Sequence, residues 1–141
     1  MSEILVDKIS GKTSANAVTV TGENGSTQTS LQQGLAKAWV VYVAANLTSD
    51  ADLVGVTDSF NMTSVVDNGT GDHTFAIAND FNSVNYALVT GRQQSTSGYG
   101  GHIDIEHGTS PTAGSVEIQT RGHYGLQDNP RGSLAFLGDL A

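Results

Sequence analysis

Three short runs alternate apolar and polar residues with a period of two, and no other feature constrains the fold as tightly. They are "HTFAIAN" (73–79), "GHIDIEHG" (101–108) and "SVEIQTR" (115–121). Successive side chains of a strand point to opposite faces, so each run reads as a β-strand with one buried face. "AWVVYVAA" (38–45) is nearly continuous in apolar, β-branched and aromatic residues and reads as a central strand. "LVGVTDSFNMTSVV" (53–66) holds one or two strands, and "VNYALVTGR" (84–92) and "GSLAFLGDL" (132–140) one each. Strands recurring every ~8–12 residues between turn residues point to an all-β sandwich or barrel. The reading is an antiparallel β-sandwich or jelly-roll-like domain over residues 31–141. An N-terminal β-containing arm over residues 1–30 precedes it. The expected core is Trp39, Val41, Phe60, Phe75, Ile77, Tyr86, Ile103, Ile105, Ile118 and Phe136.

The arm contains "EILVDKI" (3–9) and "NAVTVTG" (16–22), two strand-like pieces. Ile4, Leu5, Val6, Ile9, Val18 and Val20 form two apolar patches that a lone arm leaves partly exposed, so the arm is expected to make attachment contacts. "SLQQGLAKAW" (30–39) is the one helix candidate, capped by Ser30 and weakened by Gly34.

Composition excludes several functions. There is no cysteine, hence no disulfide framework, zinc-thiolate site or cysteine nucleophile. Six Lys and Arg against 14 Asp and Glu give a formal charge of -8. The basic residues are scattered, which argues against a nucleic-acid partner and against an anionic membrane surface. No apolar run reaches the ~20 residues of a spanning helix, so membrane insertion is not expected. The start "MSEILVDKIS" is acidic and its apolar run ends after three residues, which is not a secretory leader. Synthesis in a cytoplasm is expected.

"VVDNGTGDHTFAIAND" (65–80) invites comparison with a calcium loop. Counting from Asp67, the third and fifth positions are Gly69 and Gly71, which carry no side-chain oxygen. The expected structure is a hairpin with Asn68-Gly69 in the tight turn, because both residues tolerate positive φ. "SGKTS" (10–14) ends like a phosphate-binding loop, but Val6 stands where the leading glycine belongs. No Ser, His and Asp occur in a recognisable catalytic context, so no enzyme and no cofactor are expected. His102, Asp104 and Glu106 alternate along one strand face and are the metal-ligand candidates. A solvated face opposite the buried Ile103 and Ile105 is the commoner meaning of that pattern, and no metal is expected.

The runs "LQQGLAKAWVVY", "DSFNMTSVVDNGTGDHTFAIANDFNSVNYALVTG", "SVEIQTR" and "GSLAFLGDLA" together resemble domains in tail-fibre and other virion structural proteins of marine tailed bacteriophages. The resemblance covers residues 31–141. The opening "ILVDKISGK" and "NAVTVTGE" look like short fibre segments that attach to the particle. The resemblance implies a homotrimer on the virion surface, made in the bacterial host cytoplasm, with phage capsid or tail proteins as partners. A short chain that begins with an attachment-like segment favours a compact appendage, knob or capsid-decorating (cement) protein over a long tail fibre. The alternative is a receptor-binding module for a host surface glycan, with Tyr99 and Tyr124 in exposed loops as contact residues.

Overall fold

A computed structural model describes residues 18–21, 28–30, 35–93 and 101–141. The chain divides into two compact units, Met1–Leu35 and Ala36–Ala141. In the first, β1 (Thr19–Thr21) pairs antiparallel with β2 (Gln28–Ser30), with Val20 opposite Thr29. Val18 is half-buried and Val20 is exposed. Ile4, Leu5, Val6, Ile9 and Tyr99 lie outside the described residues.

The second unit is an all-β, antiparallel sandwich. Its strands are β3 (Ala36–Tyr42), β4 (Val56–Phe60), β5 (Met62–Gly69), β6 (Asp72–Ile77), β7 (Ala87–Gln93), β8 (His102–Ile105), β9 (Ser115–Gly122), β10 (Gly125–Leu126) and β11 (Arg131–Leu137). One sheet has the order β4-β3-β11-β7. The other has the order β10-β9-β6-β5, and β8 also pairs with β9. The Thr120 N–H donates to Gly71 O and the Thr120 carbonyl accepts from Gln127. Both groups of one residue face one edge, so β10 continues the β6 side of β9 while β8 holds the other side.

The two sheets close over one core. Ala38, Val40, Tyr42, Leu134 and Phe136 come from the four-stranded sheet, and Val65, Phe75, Ile77, Ile103, Val116 and Ile118 from the other. The rings of Tyr42 and Phe75 meet across the gap at 5.0 Å. Phe75, Ile77, Ile103, Ile118 and Phe136 are buried as the alternation predicts.

The rest of the expected core differs. Trp39 and Val41 are only half-buried, because β3 turns Ala38, Val40 and Tyr42 inward. A strand apolar on both faces does not show which face is inside. Phe60 is 54% exposed, whereas Met62 two residues on is buried. Asn61 between them sits at φ 56 and turns the chain from one sheet into the other. Its side-chain amide donates to Lys37 O at 3.0 Å, and its Oδ1 accepts from Asn79 N at 2.8 Å, which holds that corner. Ile105 ends β8 and is 41% exposed; Tyr86 is half-buried and stacks on the buried Phe81 at 4.8 Å.

Two local expectations are corrected. The candidate helix is absent where it is described: Ala36–Trp39 belong to β3, and among the described residues the only helical turn is a 3-10 turn at Ala44–Asn46. Period-two burial of Ala38, Val40 and Tyr42 outweighs the Ser30 cap that suggested the helix. The hairpin turn is Thr70-Gly71, not Asn68-Gly69, since Gly69 already pairs with Asp72. Asp67 Oδ1 accepts the Gly69 N–H at 2.9 Å, and the register shifts between these two residues. Asn68 then lies on the sheet, where its amide reaches Asp72 and Thr74, while Gly71 takes the left-handed conformation at φ 68.

Candidate functional site

The outer face of the four-stranded sheet is apolar. The register places Phe60 opposite Trp39, Trp39 opposite Ala135, and Ala135 opposite Val89. These four form a row across all the strands of the sheet. Phe60 and Val89, on the two edge strands, are 54% and 56% exposed. The next row runs Asp58, Val41, Ser133 and Gly91. Gly91 leaves room for its neighbour, because a Cβ there would stand 2.5 Å from Ser133 Oγ. Trp39, Val41, Val89, Ser133 and Ala135 line a shallow hollow in the centre of this face. By alternation along β3, β4 and β11, the charged residues on this face are Lys37, Asp58 and Arg131. The face therefore lacks the acidic excess of a chain whose formal charge is -8.

The outer face of the opposite sheet is acidic. Carboxylate oxygens of Asp72, Glu106 and Glu117 lie within 4.8 Å of one another. Asn68 Nδ2 donates to Asp72 at 3.2 Å and to Glu117 at 3.1 Å. Burial, then the neighbouring Glu106 and Asp72, push the Glu117 carboxyl above its ordinary value. Glu106 lies just beyond β8 and accepts from Gln119 Nε2 at 2.9 Å. His102 and Asp104, both more than half exposed, form a separate pair at 2.8 Å. The three metal-ligand candidates thus divide between two places, His102 with Asp104 and Glu106 with Asp72 and Glu117.

Tyr124 is 84% exposed at the turn between β9 and β10, its ring edge-on to His123 at 4.6 Å. The chain matches no family model, no curated protein and no solved structure.

The sequence reading placed Trp39, Val41 and Phe60 inside and so passed over the apolar face. A signal was present. "AWVVYVAA" is apolar at odd and even positions alike. A strand of that kind is covered on both faces. The second sheet covers one face, and the other is the outer face that carries Trp39 and Val41.

Proposed function

We propose that this chain is a non-enzymatic structural module of a tailed-bacteriophage virion, a compact appendage or decoration protein that assembles with copies of itself as a homotrimer. The observation that carries the reading is the apolar row Phe60, Trp39, Ala135 and Val89, exposed at its two ends. The family resemblance supplies the virion setting.

A second copy is the occupant that suits this face. Two chains of charge -8 repel each other over most of their surfaces. The apolar outer face, which lacks that acidic excess, is where the repulsion is weakest and burial is most favourable. Asp58 and Arg131 on this face are of opposite sign, so neighbouring copies can set one against the other. Four strands spaced ~4.8 Å and running ~20 Å present roughly 400 Å² per copy. One pairwise contact of about 800 Å² is below the ~1,000 Å² expected of a specific interface, so this face works together with other contacts of the assembly, and the trimer in this reading comes from the resemblance.

The N-terminal unit is the attachment element in this reading. Its three-residue pairing of β1 with β2 is marginal in water without further contacts, and Val20 is 57% exposed there. Capsid or tail protein would cover it. The protein would be made in the host cytoplasm and displayed on the virion surface. Immunogold labelling of intact particles tests this directly. Label at regular positions on capsid or tail supports the reading, and particles that carry no label overturn it.

A second reading has its own observation. The exposed Tyr124 ring, braced by His123, offers a flat apolar surface to a sugar ring of a host glycan. Loss of cell-surface binding in Tyr124→Ala, with assembly intact, would favour it.

A further inference from the structure

At one end of the sandwich the apolar core gives way to a polar layer. Tyr42 from β3, His73 from β6, Thr120 from β9 and Asn129 from the segment before β11 are each at most 1% exposed. Burial pushes the Tyr42 hydroxyl up to about 12, and hydrogen-bonding contact with the Thr120 and Asn129 side chains, short of full hydrogen-bond geometry, lowers it in part. Even so, Tyr42 Oη, His73 Nδ1 and Nε2, Thr120 Oγ1, and Asn129 Nδ2 and Oδ1 all lack a partner in hydrogen-bond geometry. Six such atoms left unsatisfied would together cost as much as the net stability of a typical domain.

The side chains have little freedom to close on one another. Tyr42 lies over Gly132, where a Cβ would stand 2.3 Å from Tyr42 Cζ. The two residues are opposite each other in the β3–β11 register. The His73 ring is set at 57° to Tyr42 with centroids 6.0 Å apart. A metal ion suits the place poorly. Asp67 Oδ1 and Asp128 Oδ1 each stand 3.9 Å from His73 Nε2, beyond the ~3.4 Å between tetrahedral ligands of one metal. Both oxygens already accept backbone N–H groups, from Gly69 and Gly71.

We propose that this layer is a binding site for internal water, about two molecules bridging Tyr42, His73, Thr120 and Asn129. Water fits an uncharged set of donors and acceptors because it does both. A buried water makes about three hydrogen bonds, so six atoms call for about two molecules. The site would join β3, β6, β9 and the segment before β11 by hydrogen bonds that direct side-chain contact does not make.

A crystal structure of the full wild-type chain at high resolution tests this. The expected result is water density about 2.7–3.2 Å from these atoms. Density showing the four side chains bonded directly to one another, or a metal or larger molecule in the layer, overturns the proposal. Oxygen-17 relaxation dispersion of wild type against a Thr120→Val, Asn129→Leu variant gives a second readout. The variant should lose one or two long-lived waters, and an unchanged count in a folded variant overturns the proposal. The wild-type crystal decides the matter even if the variant does not fold.

Discussion

Replacing Gly71 by alanine should be the costliest single-methyl change in the β5–β6 hairpin. Gly71 sits at φ 68, which an L-residue occupies at a cost of about 1–2 kcal/mol. A Cβ there would meet Thr120 O at 2.6 Å and Gln127 N at 2.7 Å, both backbone atoms that cannot swing away. The hairpin must then back off from β9. That strains the Thr120 N–H bond to Gly71 O and the Gly71 N–H bond to Asp128 Oδ1, both 2.7 Å long. Each is worth about 1 kcal/mol or somewhat more. The total is roughly 3–5 kcal/mol. Gly69→Ala is the control: Gly69 has φ 142 but nothing within 4 Å of the added methyl, so only the conformational cost of about 1–3 kcal/mol applies. Urea unfolding of both variants at one protein concentration measures the difference. If Gly71→Ala costs no more than Gly69→Ala, the turn assignment and its packing on β9 are wrong.

Other expectations follow from the same structure. Phe75→Ala removes a fully buried ring packed on Tyr42 and should cost about 3–5 kcal/mol in the same assay. Burial holds His73 below its ordinary value despite the nearby Asp67, Asp128 and Asp72. The unfolded chain therefore takes up a proton that the folded one refuses, so stability is full above about pH 6.5 and falls as pH drops below it. His73→Gln should flatten that fall in denaturation midpoints measured from about pH 7.5 to 5.5. Elemental analysis should find no stoichiometric metal in the purified protein; one ion per chain, lost in Glu117→Gln, would make the Asp72, Glu106 and Glu117 cluster a metal site. The core cluster lies wholly within Ala36–Ala141, so a chain lacking residues 1–35 should fold and assemble yet fail to attach to particles lacking the protein. Particle binding as tight as that of the full chain would show that the N-terminal unit is not the anchor.

Strand alternation made much of the core readable. "HTFAIAN" and "SVEIQTR" announced β6 and β9, and Phe75, Ile77 and Ile118 are buried where the period of two puts them. The same period places His73 on the inner face with Phe75, so the polar end layer was half-visible. Asn129 was not, because it comes from a segment without periodicity. β3 hid its orientation because both of its faces are apolar, and the apolar outer surface was lost with it. Asn68-Gly69 has strong local turn chemistry. Asp67, Asp72 and Thr74 nevertheless draw these two residues into the strand pair and leave the turn to Thr70-Gly71. Glu106 alternates with His102 and Asp104 in sequence, but β8 ends at Ile105 and sends it to a different cluster.

The measurement closest to the central claim is the mass of the assembly by sedimentation equilibrium, for the wild type and for a Phe60→Asp, Val89→Asp variant. A single chain weighs 14.6 kDa. The account predicts a wild-type mass near three chains at micromolar concentration. It predicts a single-chain mass for the variant with its thermal unfolding still cooperative, because both substituted side chains are more than half exposed. A wild type that sediments as one chain, or a variant that assembles as the wild type does, would contradict it.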